Sequence, residues 1–130
     1  MSETLIVLSG EPKSTQHIYR YACRGNFPCM YMTAQGKALK EQYQWEAKSQ
    51  WKQPPLTGTI ALRVDLYFGT RRRTDIDNFN KLSLDALTGI IYEDDNQITE
   101  VSIAKHFDKA KPRIEIMSHL YLHQELLRNQ

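Results

Sequence analysis

From Thr57 to Phe68 the chain alternates, with Ile60, Leu62, Val64, Leu66 and Phe68 on one side and Arg63, Asp65 and Tyr67 on the other. A period of two in β-branched, aliphatic and aromatic residues describes a strand with one buried face, so the chain is committed to a sheet that something apolar must cover. The cover is also encoded. Between Thr33 and Trp51, Leu39, Tyr43, Ala47 and Trp51 recur every four residues, an amphipathic helix with Lys37, Lys40, Lys48 and Lys52 on other faces, stopped by Pro54-Pro55. A second helical stripe, Ile76, Leu84, Leu87, Ile90 and Ile91 among Asn78, Asn80, Ser83 and Asp85, starts with Asp77 as N-cap; Gly89 can end it in a left-handed conformation. Further strands are expected over Thr4 to Ser9, Ile98 to Phe107 and Arg113 to Met117, the last two joined by a turn at Asp108–Pro112. The stretch 10–32 reads as a loop mixing aromatics with bases, and the tail from Ser118 as helical. These elements predict a single α+β domain over 1–130, with a small mixed or mostly antiparallel sheet carrying two main helices. At 130 residues such a domain buries roughly two-thirds of its unfolded surface.

The chemistry concentrates between residues 74 and 97, TDIDNFNKLSLDALTGIIYEDDNQ. Asp75 and Asp77 stand one residue apart, Lys81 follows four residues later on the same helix face as Asp77 and Asp85, and Glu93-Asp94-Asp95 lies beyond the helix. Hard cations such as Mg²⁺ take oxygen ligands and keep several waters, so a few carboxylates suffice and the remaining positions are left for phosphate and nucleophilic water. For the two acidic groups to meet, Thr88 to Tyr92 must fold back. A calcium loop starting at Asp94 fails on spacing, because Ile98 and Thr99 occupy its fifth and sixth positions. Arg71-Arg72-Arg73 follows the strand directly and precedes Asp75, a position suited to bidentate contacts with phosphate. Asp65, inside the strand, reads as a surface charge. His119 and His123 are four apart but lack a third metal ligand.

The pattern D-x-D-N-x-x-K-x-x-x-D-A-L-x-G followed by D-D-x-Q, here Asp75, Asp77, Asn78, Lys81, Asp85, Ala86, Leu87, Gly89, Asp94, Asp95 and Gln97, resembles the RusA family of Holliday-junction resolvases. The resemblance extends to Arg71-Arg72-Arg73, to Gly10-Glu11-Pro12-Lys13-Ser14 and to Thr33-Ala34-Gln35-Gly36-Lys37, and so covers about Leu5 to Met117. Glu11-Pro12-Lys13 stands where the family has a more proline-rich turn. The resemblance implies catalysis by Asp75, Asp77, Asp95 and Lys81. Asp75, Asp77 and Asp95 would bind one or two Mg²⁺ per subunit, with Mn²⁺ able to substitute; Lys81 would offset charge on the five-coordinate phosphorus. Arg71, Arg72, Arg73 and Asn78 would hold DNA phosphate, and Asp94 would either support the metal site from behind or be a weaker ligand of it. It further implies a homodimer that resolves four-way junctions by paired symmetric nicks in recombination and repair.

Charge distribution agrees with that expectation. Residues 75–100 hold seven acids and one base, leaving sixteen bases against eight acids elsewhere, although the whole chain is only +2. A basic body around one acidic patch suits a gripped polyanion. Cys23 and Cys29 match no zinc spacing and read as free thiols of a reducing cytoplasm. No apolar run approaches 18 residues and MSETLIVLSG has no signal-peptide pattern, so a soluble, non-exported protein without a membrane partner is expected. Two other readings stay open: a metal-dependent nuclease acting on other branched or flapped DNA, since groups that address phosphate do not read branch shape, and a non-catalytic DNA-binding module. Retention of all the aspartates disfavours the last.

Overall fold

The computed structural model describes residues 3–13, 19–24, 27–71 and 81–120. In chain order these form β1 (Glu3–Ser9), β2 (Tyr19–Arg24), β3 (Phe27–Met32), α1 (Ala34–Gln50), β4 (Ile60–Phe68), α2 (Lys81–Leu87), a 3₁₀ turn (Asp95–Gln97), β5 (Ile98–Phe107) and β6 (Arg113–Leu120). Four strands make one mixed sheet in the order β1-β6-β4-β5, in which only the β4–β5 pair is parallel. β2 and β3 form a separate antiparallel ribbon.

The alternation of β4 is realised as expected: Ile60, Leu62, Val64, Leu66 and Phe68 are all buried while Arg63 is exposed. Ile6 and Leu8 of β1 and Ile114 and Ile116 of β6 join them, and Tyr43, Ala47 and Trp51 of the first helical segment with Leu82, Ala86 and Leu87 of α2 complete one core. Burying each large aliphatic side chain of this set contributes about 2 kcal/mol. Thr33 caps α1, its side chain accepting a hydrogen bond from Gly36 N at 3.1 Å. A polar row of α1, beside its apolar stripe, closes one border of the sheet. Gln50 accepts from Val7 N and donates to Val7 O, both at 2.8 Å; Glu46 accepts from Ser9 N at 3.2 Å, and Gln42 donates to Ser9 O at 3.3 Å. Edge-strand backbone that would otherwise stay open is thus taken up by three side chains spaced four residues apart on the helix.

Three expectations are corrected. Stretch 10–32 contains the β2–β3 ribbon rather than only a loop, and Met32 at its end packs on the core. β5 and β6 are not partners; they lie on opposite sides of β4. The reason is in their patterning: β6 buries Ile114, Ile116 and Ser118 on alternate positions and takes an inner place, whereas β5 is mostly exposed and takes an edge. Finally, β6 continues through Ser118 and His119 to Leu120, where a helical tail was expected, because those residues still pair with Leu62, Ala61 and Ile60 of β4. Residues 121–130, including Tyr121, Leu122 and His123, lie outside the described residues, as do Arg72, Arg73, Asp75, Asp77 and Asn78.

Candidate active site

The acidic turn is built by the end of α2. Gly89, at φ 86°, takes the left-handed conformation expected of it, and Gly89 N donates to Tyr92 O at 2.7 Å, so residues 88–92 fold back. Leu56 N donates to Ile91 O at 2.6 Å, which ties that fold to the approach of β4. The Tyr92 ring is fully buried and its hydroxyl donates to Leu84 O at 2.6 Å. Burial pushes this phenol up to about 12; a hydrogen bond with Thr88 opposes the shift, and the charges of Asp95 and Asp85 add to it. Asp85 and Asp95 therefore both act on one buried group from the two sides of the fold-back.

Asp94 and Asp95 have separate positions. Asp94 is the N-cap of the 3₁₀ turn, accepting from Asn96 N at 3.2 Å. Gln97 completes a capping box: its Oε1 accepts from Glu93 N and Asp94 N at 2.9 Å each, and its Nε2 donates to Leu56 O at 2.9 Å and Gly58 O at 3.0 Å. Gln97 thus clamps the acidic turn to the segment leading into β4, a role that the D-x-x-Q spacing signals on its own. Asp95, the first residue of the turn, is exposed. Carboxylate oxygen is the donor chemistry that Mg²⁺ or Mn²⁺ takes, and in this respect the exposed Asp95 fits such an ion. Among the described residues no three His, Cys, Asp or Glu side chains converge as a metal-holding group.

The opposite end of β4 is basic and aromatic. Where β4 runs out, Gly69 N donates to Glu11 at 2.7 Å, Asp108 N donates to Phe68 O at 2.8 Å and Gly10 N donates to Pro112 O at 3.2 Å. The three connections after β1, β4 and β5 are therefore tied together. A Cβ at position 69 would stand 2.9 Å from Pro112 Cγ and 3.4 Å from the Glu11 carboxylate, so glycine permits the close approach. Beyond it the Arg71 guanidinium lies over the Phe107 ring, 5.2 Å from its centre. An open groove of about 340 Å³ is lined there by Phe68, Thr70, Arg71, Lys105, His106 and Phe107. Of these, only Arg71 stood out in the sequence; the others are brought to it by the parallel register that sets Phe68 beside Phe107.

Behind the groove, a row crosses the sheet. Arg113 lies 3.8 Å over Tyr67, which stacks on His106 at 4.6 Å. His106 Nε2 is 2.8 Å from Asp65, which also accepts from Arg63 Nε at 3.1 Å. Burial raises the Asp65 carboxyl, but the hydrogen bonds from His106 and Arg63 outweigh it and hold the group below the usual carboxylate range. Asp65 is thus a largely covered charge paired within the sheet, where a surface charge was expected.

Arg71 follows the C-terminal end of β4, whereas Asp95 precedes β5 at the other end of the parallel pair, whose nine residues of β4 span about 26 Å at 3.3 Å per residue. Asp75 and Asp77, the other residues expected to gather where β4 ends, lie outside the described residues. Lys81 opens α2, about 9 Å along the helix from its last residue, Leu87, at 1.5 Å per residue.

Comparison with known proteins bears on this arrangement. Residues 9–118 match the family model described as Endodeoxyribonuclease RusA. The crossover junction endodeoxyribonuclease rusA of Enterobacteria phage 82 is 30% identical over 95 residues, 72% of this chain and 76% of that protein. Crossover junction endodeoxyribonuclease RusA of Escherichia coli strain K12 is 28% identical over a span of the same length and the same coverage. YqaN of Bacillus subtilis strain 168 is 38% identical over 45 residues, 35% of this chain and 31% of that protein. With the family model matching from the end of β1 into β6, this chain belongs to the RusA family of endodeoxyribonucleases.

Proposed function

We propose that this protein is a Mg²⁺-dependent endodeoxyribonuclease that resolves four-way DNA junctions by paired, symmetric nicks, in recombination and repair. The observation that carries the reading is the RusA match over residues 9–118, together with relatives named as crossover junction endodeoxyribonucleases. Asp75, Asp77 and Asp95 supply the carboxylates for one or two ions, Mg²⁺ or Mn²⁺. When bound, the ion supplies an activated water and stabilises charge on the attacking and leaving oxygens. Lys81 places a cation against the charge that builds on phosphorus, and Asn78 with Arg71, Arg72 and Arg73 holds the flanking phosphates. Asp94 acts through the turn it caps, by fixing the backbone that presents Asp95. Because one chain carries one acidic cluster and no internal repeat, two nicks require two chains, and a two-fold homodimer matches the approximate symmetry of the junction.

The test is cleavage by purified protein in Mg²⁺ of a four-way junction, a flap and a linear duplex of the same sequence. Paired nicks in the junction alone are expected. Equal cutting of flap and junction would give first place to a general branched-DNA nuclease, and binding without cutting in either metal would leave a DNA-binding module.

A further inference from the structure

The groove at the end of β4 combines features that phosphate binding alone does not require. The Arg71 guanidinium lies 5.2 Å from the centre of the Phe107 ring, and a guanidinium is the group suited to bidentate contact with a phosphate. Lys105 brings a second cation to the same lining. Phe107 is 47% exposed, although it ends a strand whose neighbour Phe68 is buried. The acid nearest in sequence is already engaged: Asp108 accepts from Arg113 Nη1 at 2.7 Å and from Ala110 N and Lys111 N at 3.2 Å each. Its charge is therefore compensated beside the groove. An open aromatic ring flanked by two cations on a rigid strand end is the arrangement by which proteins take single-stranded nucleic acid, the base stacking on the ring and the phosphate meeting the cations.

We infer that this groove is a subsite for one unpaired nucleotide at a DNA branch, with the base stacked on Phe107 and its phosphate held by Arg71 and Lys105. The inference rests on the proposed reading that the protein holds branched DNA, and it deepens that reading: Phe107 would recognise interrupted base stacking, which the carboxylates and phosphate-binding groups cannot do. A paired duplex offers the ring no base face, so the subsite would contribute to discrimination between branch and duplex.

The test uses full-length protein in EDTA, so that nothing is cut, with three DNAs: a short oligo-dT strand, a duplex, and a four-way junction carrying 2-aminopurine at the branch point. Phe107→Leu and Phe107→Ala should weaken binding to the single strand and the junction by roughly five- to a hundredfold, leave duplex binding unchanged, and abolish the rise in 2-aminopurine fluorescence that unstacking of the branch-point base gives on binding to the wild type. Phe107→Trp should keep wild-type affinity. Arg71→Ala should reduce the slope of log K against log salt by about one. Junction binding by Phe107→Leu equal to wild type, or an equal loss on all three DNAs, would overturn the subsite while leaving the resolvase reading standing. Phe107-dependent single-strand binding by a protein that does not prefer junction to duplex would have the opposite meaning: the subsite stands and the resolvase reading falls.

Discussion

Removing the Gln97 amide should disturb the acidic turn more than removing a charge from it, because that one side chain makes four hydrogen bonds to backbone on both sides of the turn. Gln97→Ala is expected to cost about 1–3 kcal/mol and lower the melting temperature by several degrees in thermal denaturation. The two aspartates should separate cleanly. Asp94→Ala loses an N-cap, about 1 kcal/mol, with cleavage reduced but present, whereas Asp95→Asn leaves melting nearly unchanged and abolishes Mg²⁺-dependent cutting. The reverse pattern would exchange their roles. Tyr92 adds a dependence on pH. Its folded pKa, about 12, lies above the tyrosine value of about 10 in an unfolded chain, so the stability it contributes is full below pH 10 and is lost as pH rises toward 12. Tyr92→Phe should flatten that alkaline loss, at a cost near neutrality of about 1 kcal/mol for the bond to Leu84 O; denaturant midpoints at pH 8 and pH 11 check both.

Among the elements, β4 fixes the rest, since its two ends carry the acidic turn and the arginine groove. The junction at Gly69 is its most exacting point. Gly69→Ala would bring a methyl group against the Pro112 ring and the Glu11 carboxylate, and an overpacked contact of this kind costs about 1–3 kcal/mol. The variant should melt earlier and bind DNA less tightly, as measured by thermal denaturation and anisotropy; unchanged behaviour would mean that the β5–β6 turn yields easily. Much of this scale was legible in the sequence. β4, α1 with its Thr33 cap, β5 and the Gly89 stop follow from periodicity and local turn chemistry, because each is decided by residues close in the chain. The β2–β3 ribbon was within reach too, since the sequence has Gly25-Asn26 between two aromatic runs, a dipeptide that commonly marks a two-residue hairpin. The order β6-β4-β5 was not, since a short turn between β5 and β6 looks like a hairpin until the competition for the inner place beside β4 is considered. Nor was the groove, whose lining comes from a register across two strands that no local pattern encodes. Of the candidate catalytic set, the resemblance picked out Asp95, and the geometry adds that Gln97 positions the turn bearing it.

At the scale of the whole molecule, the surplus of positive charge outside residues 75–100 should make DNA binding steeply salt-dependent, log K changing by about 0.9 per contacted phosphate for each unit of log salt. Replacing Arg71, Arg72 and Arg73 together should flatten the slope in a salt titration. Sedimentation at micromolar concentration should give a species of about twice 15.2 kDa. A protein that stays monomeric on a four-way junction would contradict coordinated resolution. The stitching of β1 by Gln42, Glu46 and Gln50 bears on how chains could meet. A sheet normally offers two open borders, and a stray strand can zip onto either one. Over Val7 and Ser9 the helix already fills the places such a strand would take, while β5 has a neighbour on one side only among the described residues. Among the described residues the sheet is accordingly one-handed toward visitors: a strand arriving from another chain finds an occupied seam at β1 and an unpaired one at β5, the same strand whose last residues line the arginine groove.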